Sequence, residues 1–310
     1  MVKMGVKPKH FLKIDDLTPN ELQELLDSAI ELKSGGWSSL LKNKTAALLF
    51  EKPSLRTRVS FEMGVRQLGG QTIYLSPEEV GLGKRESIPD IARVLSRFVD
   101  VIILRTFAQH NLEVLAEYSS VPVINALSDF EHPCQALADL LTIYEKKGKL
   151  KWLVLSYIGD GNNVANSLML ACAMAGVNFH IASPKGYTID PAVLNKANTY
   201  AKTSGATILC TEDPKLAAKD ADVIYTDTWT SMGQEAEAKV RRKAFADYQI
   251  NEKLMALTKK NAIIMHCLPA HHGEEVSVGL LDSPASVVFD QAENRMHAQK
   301  ALLSWILAKK

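Results

Sequence analysis

Apolar runs of strand length, alternating with helical patterns, constrain this chain more than any other feature. Thr45 to Phe50 is apolar over the length of a strand. Phe61, Val65 and Leu68 then recur at i, i+4 and i+7, Gly69-Gly70 stops the pattern, and Gln71 to Leu75 reads as a second strand. Strand, helix and strand in that order form a βαβ unit, with parallel pairing and a right-handed crossover. The alternation continues, with strands expected at 100–104, 122–126, 152–158, 178–182, 206–210, 222–226, 262–266 and 286–289. The expected fold class is therefore α/β, with two doubly wound, mostly parallel sheets covered by helices.

The helices are marked by their caps. Thr18-Pro19-Asn20-Glu21 combines a capping box with Pro at the first helical position, Leu22, Leu25, Leu26 and Ala29 follow at helical spacing, and Gly35-Gly36 ends the run. Further helices are expected at 88–98, 111–118, through Leu137, Leu140, Leu141 and Tyr144 to an end in Lys146-Lys147-Gly148-Lys149, and at 296–307 behind Glu293-Asn294-Arg295. Ser76 to Glu86, rich in Gly and charge without an apolar period, reads as a loop. A chain of 310 residues exceeds one ordinary domain, and the basic stretch Lys146-Lys147-Gly148-Lys149 places a boundary between 1–148 and the residues from 149 onward.

Composition excludes several classes. A net charge of +1 gives no reason to expect nucleic acid or an anionic membrane as a partner. Apolar runs such as Trp152 to Ile158 are far shorter than a membrane span, and the lysines before His10 precede no apolar stretch of a leader. Cys134, Cys172, Cys210 and Cys267 are scattered without a Cys-x-x-Cys pair, which suits a reducing, cytoplasmic setting.

Chemistry-bearing residues gather just beyond the C-terminal ends of the expected strands, the edge that lines the ligand crevice in a doubly wound sheet. After the strand at 45–50 come Ser54, Leu55, Arg56, Thr57 and Arg58. Ser54 is an N-cap for the next helix, and two guanidinium groups beside a helix N-terminus suit a compact dianion such as phosphate. An ordinary capped surface helix would carry the same cap. Arg105 ends the third strand, and His132-Pro133-Cys134-Gln135 follows the fourth, offering an imidazole and a carboxamide from one turn. Gly159-Asp160-Gly161-Asn162-Asn163-Val164-Ala165 fits the dinucleotide pattern G-x-G-x-x-A, yet the next strand ends in Ser183-Pro184-Lys185 and no acidic residue appears before Asp190. The missing ribose-binding acid weighs against a nicotinamide cofactor, and Asn162 and Asn163 read as polar contacts to a small ligand.

Asp227, at another strand end, suits a ligand ammonium group, and Ser231-Met232-Gly233 continues its loop. The charge-dense stretch 234–243 reads as a closing lid. His266-Cys267-Leu268-Pro269-Ala270-His271-His272 holds four potential zinc ligands, but no distant pair completes a usual spacing, and no metal is expected. Cys267 is either a nucleophile or, as is more common for a cysteine ending a buried strand, simply small and apolar. Arg295 lies near the same edge.

Together these segments resemble the aspartate/ornithine carbamoyltransferase family over essentially the whole chain. Ser54-Leu55-Arg56-Thr57-Arg58 is similar to the family's carbamoyl-phosphate motif Ser-Thr-Arg-Thr-Arg, and His132-Pro133-Cys134-Gln135 to its His-Pro-x-Gln. Asp227 with Ser231-Met232-Gly233, and His266-Cys267-Leu268-Pro269, resemble the ornithine-using branch. The aspartate-using branch has His-Pro-Leu-Pro followed by arginine, where this chain has Cys267 and Ala270.

The resemblance implies transfer of the carbamoyl group of carbamoyl phosphate to the δ-amine of L-ornithine, giving L-citrulline and phosphate in arginine biosynthesis, with no cofactor. It implies that Ser54, Leu55, Arg56, Thr57 and Arg105 hold the phosphate. Arg105, His132 and Gln135 hold and polarise the carbamoyl group, and Cys267, Leu268 and Arg295 close over it. Asn163, Asp227, Ser231 and Met232 hold ornithine, with Cys267 beside the reacting amine. It further implies that the last helix, 293–310, completes the first domain and leaves 149–292 to bind ornithine, and that the subunits form trimers or multiples of trimers. Two residues depart from the pattern: Leu55 replaces a common Thr, and Gly81 stands where many members have Gln, with Lys84 nearby as a compensating charge. The nearest alternative is a sister enzyme using putrescine or an N-acylated ornithine. A Rossmann-type oxidoreductase and a non-catalytic phosphate-binding protein are the rivals from other classes.

Overall fold

The structure, a computed structural model, describes residues 8–307. Most of the N-terminal stretch without an expected leader, and the last three residues of the expected final helix, lie outside the described residues. The chain divides into two compact units. One holds the described residues up to Cys134 together with those from Arg295 onward, and the other is Gln135–Asn294.

The first unit is built on four strands, β1 (Thr45–Phe50), β2 (Gln71–Leu75), β3 (Val101–Arg105) and β4 (Val123–Leu127), all paired in parallel in the order β2-β1-β3-β4. Its helices are α1 (Pro19–Gly35), α2 (Leu55–Gln67), α3 (Pro77–Val80), α4 (Ile88–Leu95) and α5 (Gln109–Tyr118). Ala47 and Leu49 of β1 and Ile102 and Leu104 of β3 point to one face, where they pack with Ile91 and Ala92 of α4 and Leu112 and Leu115 of α5. Burial of each large aliphatic group there contributes about 1.5–3 kcal/mol. The strand order reverses between β1 and β3, so the crevice of a doubly wound sheet falls at the C-terminal ends of Phe50 and Arg105.

The second unit has five parallel strands, β5 (Val154–Ile158), β6 (Asn178–Ala182), β7 (Ile208–Thr211), β8 (Val223–Thr226) and β9 (Ile263–His266), in the order β7-β6-β5-β8-β9. The chain enters it within α6 (Pro133–Lys147). The helices α7 (Asn163–Ala175), α8 (Pro191–Ser204), α9 (Pro214–Ala218), α10 (Ala238–Ala244) and α11 (Glu252–Met255) follow, and the chain leaves within α12 (Val288–Leu307). Here the order reverses between β5 and β8, which places the crevice outside Ile158 and Thr226. On one face Ile158, Ala182, Ile224 and Ile264 pack with Ala217, Phe245, Tyr248 and Leu254.

Two expected elements differ. Residues 286–289 form no strand: Ser286 makes a single bridge to Ile264, and Val288 already begins α12. Val287 and Val288 are buried while Phe289 is exposed, and Asp290 follows, so the short apolar run is the inner face of a first helical turn. Arg295 consequently sits inside α12 rather than before it. Residues 77–80 form the short helix α3 within the expected loop, because Ser76 and Glu79 close a capping box. Within the charge-dense stretch from Gln234, residues Glu235–Glu237 form a 3-10 turn and Ala238–Ala244 form α10, whose Arg241 is buried and bonded to Asp160 at 2.7 Å.

The C-terminal part of α12 is fastened to the first unit by a buried lysine. Lys300 donates to the carbonyls of Leu32 (2.8 Å) and Gly36 (3.3 Å) at the end of α1 and to Oε1 of Gln67 (3.0 Å). It supplies to α1 the cation that a helix C-terminus favours.

Candidate active site

In the first unit the site begins with the cap of α2. Ser54 has extended backbone angles and its Oγ accepts the Thr57 N–H at 3.2 Å. Thr57 is fully buried, and its Oγ1 accepts from Arg295 Nη2 at 2.8 Å and lies 3.4 Å from Arg105 Nη1. One hydroxyl in the first turn of α2 thus collects guanidinium groups from β3 and from α12. Arg56 is half-buried on the same turn, and Leu55 is exposed.

His132 is the fourth member. Burial holds its pKa well below the ordinary histidine value, and the positive charges of Arg295, Arg105 and Arg56 push it the same way. The imidazole is accordingly neutral, able to donate from one nitrogen without adding charge. Cys134, two residues on, is buried with its thiol directed at the Asn125 carbonyl (3.3 Å), and burial pushes its pKa up to about 12. It is packing rather than chemistry.

One residue of this half was passed over in the sequence. Lys52 is buried, with Nζ 3.9 Å from the Phe107 ring centroid. Burial lowers its pKa first, and neighbouring Arg105 lowers it further. The only sign of it in the sequence is its position, two residues after a strand end and two before the Ser54 cap.

In the second unit, Asp227 and Asn162 face each other across the switch point. Asn162 caps α7: its Oδ1 accepts from the N–H groups of Val164 (3.0 Å) and Ala165 (3.1 Å), and its Nδ2 donates to Asp227 Oδ2 at 2.8 Å. Asp227 Oδ1 accepts from the Cys267 thiol at 3.0 Å. The ends of β5, β8 and β9 therefore deliver Asn162, Asp227 and Cys267 to one point. Asn163 opens α7 beside them, half-buried. Ser231 is half-buried on the next loop with its N–H donated to Gln234, and Met232 is exposed; no hydrogen bond joins either to this cluster among the described residues.

Leu268 has φ +56°, a conformation that costs a residue with a Cβ about 1–2 kcal/mol. It is held there by its N–H, donated to His266 Nδ1 at 2.8 Å. That bond makes Nδ1 the acceptor, so Nε2 carries the ring proton toward Glu275 Oε1 at 3.2 Å, with both side chains buried. Glu275 also accepts the His271 N–H, at 2.5 Å. This buried pair behind Cys267 and Leu268 had no signature in the sequence. The possible metal ligands fall into two groups among the described residues, Asp227-His266-Cys267 and His271-Glu274-Glu275. The histidines around Cys267 therefore do not converge on one point.

The Gly-rich turn after β5 has a local explanation. A Cβ on Gly161 would lie 2.4 Å from the backbone of Thr188 and Ile189, and Gly161 N–H donates to Tyr187 O at 2.8 Å. The second glycine of the pattern serves the close approach of this chain's own loop.

Gln135 lies at the start of α6, buried, with its Nε2 donating to Asp139 Oδ1 at 2.8 Å. Gly81 has φ +54°, and a Cβ there would meet Arg85 Cβ at 2.8 Å. The tight turn closing α3 therefore requires glycine, while Lys84 stands exposed on it.

Comparison with known proteins assigns a family domain to each part of the chain. Residues 9–145 match the family profile described as the aspartate/ornithine carbamoyltransferase carbamoyl-P binding domain, and residues 152–306 match that family's Asp/Orn binding domain. The chain is 54% identical over 306 residues to an ornithine carbamoyltransferase of Anoxybacillus flavithermus, covering 97% of this chain and 98% of that protein. It is 52% identical over 301 residues to that of Bacillus subtilis, covering 97% and 94%. The solved ornithine carbamoyltransferase of Pyrococcus furiosus superposes with a TM-score of 0.92 at 51% identity, over 95% of this chain and 96% of that one. The anabolic enzyme of Campylobacter jejuni gives 0.93 at 42% identity, over 96% and 98%. Both domain profiles, full-length relatives and matching folds lead to one conclusion: the chain belongs to the aspartate/ornithine carbamoyltransferase family.

Proposed function

We propose that this protein is an ornithine carbamoyltransferase, converting carbamoyl phosphate and L-ornithine to L-citrulline and phosphate. The observation that carries the choice of second substrate is the Asp227–Cys267 pair at the switch point of the second unit. A carboxylate there attracts an ammonium group and repels a second carboxylate, and Ala270 stands where an aspartate-binding enzyme has arginine.

In this reading Ser54, Leu55, Arg56, Thr57 and Arg105 hold the phosphate, aided by the exposed N–H groups and dipole of α2. Arg105, His132 and Gln135 hold the carbamoyl group, and Cys267, Leu268 and Arg295 close over it. Asn163, Asp227, Ser231 and Met232 hold ornithine. The neutral δ-amine attacks the carbamoyl carbon, negative charge develops on the carbamoyl oxygen, and the C–O bond to phosphate breaks as the amine proton passes to the departing phosphate, which leaves as hydrogen phosphate. Preorganised donors from Arg105 and neutral His132 stabilise that oxygen, and the guanidinium cluster stabilises the departing phosphate. An alkylammonium titrates at about pH 10, so the rate rises with pH as free amine accumulates.

A cytoplasmic location is supported by four free cysteines, of which Cys134 and Cys172 are buried. Among the described residues no helix is long and apolar enough to cross a membrane. Family membership supports a homotrimer or a multiple of trimers.

The test offers ornithine, putrescine, N-acetylornithine and aspartate in parallel with carbamoyl phosphate and measures the ureido product. Product with ornithine at rates at least about 100-fold above the others is expected from the polar groups dedicated to it. Absence of citrulline sinks the proposal. A second experiment concerns Lys84, exposed on the Gly81 turn. Lys84→Ala should raise the carbamoyl-phosphate KM about tenfold at low ionic strength if its charge reaches the phosphate. An unchanged KM removes Lys84 from the site.

A further inference from the structure

Gln135 presents a question of direction, because a carboxamide can be turned either way. Its Nε2 donates to Asp139 Oδ1 at 2.8 Å, while its Oε1 is buried without a hydrogen-bond partner. The surroundings of Asp139 settle which way the amide must face. The His266 backbone N–H donates to Gln291 Oε1 at 2.9 Å, and a backbone N–H can only donate. Gln291 therefore turns its Nε2 the other way, to Asp139 Oδ1 at 2.7 Å and to Tyr225 Oη at 3.1 Å. Tyr225 in turn donates its hydroxyl proton to Asp139 Oδ2 at 3.1 Å. Asp139, Tyr225 and Gln291 are all buried. Asp139 is thus surrounded by donors, and Gln135 must present its NH2 to it.

We infer that Asp139 is a positioning residue for the transfer reaction: it fixes the Gln135 carboxamide so that its carbonyl oxygen is held out as an acceptor for the NH2 of the carbamoyl group. The inference rests on the assignment of Gln135 to the carbamoyl group. It adds a specificity role, because a preset acceptor with no other partner recognises carbamoyl phosphate by its N–H bonds. Acetyl phosphate, which carries a methyl group there, has nothing to donate. Without Asp139 the carboxamide can rotate and present NH2 instead.

The test measures the KM of carbamoyl phosphate, the KM of ornithine and the inhibition constant of acetyl phosphate, in the full-length enzyme. Asp139→Ala should raise the carbamoyl-phosphate KM about tenfold, as expected for one lost hydrogen bond with its acceptor misdirected, and leave acetyl phosphate within twofold. Asp139→Asn, which can keep an oxygen facing both Gln135 and Gln291, should restore discrimination to within about threefold of wild type. Gln135→Ala should reproduce the loss seen in Asp139→Ala, and the double variant should lose no more. Equal weakening of carbamoyl and acetyl phosphate in Asp139→Ala, or no rescue by Asp139→Asn, overturns the inference. If Gln135→Ala loses discrimination and Asp139→Ala does not, the Gln135 assignment stands and the role of Asp139 falls. If Gln135→Ala also keeps discrimination, the assignment falls and the inference with it. Should Asp139→Ala not fold, the Gln135 side-chain N–H signals of the unliganded wild-type enzyme decide. Slow exchange is expected of an amide already bonded to Asp139, and fast exchange overturns the inference.

Discussion

Arg56→Ala is expected to lower kcat/KM for carbamoyl phosphate by about 10²–10³-fold, the range seen when one preorganised donor is removed from a charged transition state. Its melting temperature should stay within about 2 °C of wild type, because a half-exposed side chain outside the core contributes little to stability. The α2 cap is made by Ser54 and Thr57, not by Arg56. Arg56 nevertheless lies close enough for its charge to depress the pKa of His132. The contrast with Arg295 is instructive. That guanidinium is buried and bonded to Thr57 at 2.8 Å, so its removal would mix lost catalysis with lost packing. Steady-state kinetics and thermal unfolding on the same Arg56→Ala preparation make the check. Activity within threefold of wild type refutes the phosphate role of the α2 turn.

Asp227→Asn is expected to raise the ornithine KM about 100-fold, the effect of losing a buried charge that pairs with a ligand ammonium group. The carbamoyl-phosphate KM should change much less, since of the groups proposed above to hold that substrate only Cys267 bonds to Asp227. The substitution keeps the shape of the side chain but not its acceptors. Asp227 takes one hydrogen bond from Asn162 and one from Cys267, and an asparagine can accept only one of them as an oxygen. Part of the damage therefore falls on the thiol or on the α7 cap. Ornithine titrations at saturating carbamoyl phosphate, with thermal unfolding alongside, separate the two. An ornithine KM unchanged in a folded variant removes Asp227 from the ornithine site.

Much of the architecture is legible in the sequence because burial in a parallel sheet writes long apolar runs. The runs at 45–50 and 178–182 are strands over those same residues, and 71–75 is one too, although at the sheet edge it stays unburied. The run at 286–289 misleads because an apolar run of four residues fits a strand or the inner face of a helical turn, and here the turn wins. The short α3 was hidden because a four-residue helix shows no period; only its Ser76–Glu79 box marks it.

Of the candidate site, those parts were legible in which several residues of one short segment act together. Ser54 to Thr57, His132 to Gln135, and Asp227 with Cys267 were marked by residue type and by their place at strand ends. Lys52, Asp139, Tyr225, Gln291 and Glu275 were not. Each is defined by what it touches, and most of their partners are distant in sequence: Asp139 and Gln291 are 152 residues apart, and Tyr225 is 86 from Asp139.

The sequence by itself determined the α/β class, the parallel strands and the family, because hydrophobic period, cap chemistry and contiguous motifs are local properties of the chain. Only the tertiary structure decided the strand orders that put the two switch points at Phe50–Arg105 and at Ile158–Thr226. It alone decided which donor faces which acceptor around Asp139, His266 and Thr57. Strand order and hydrogen-bond direction depend on which distant segments meet, and no local pattern records that.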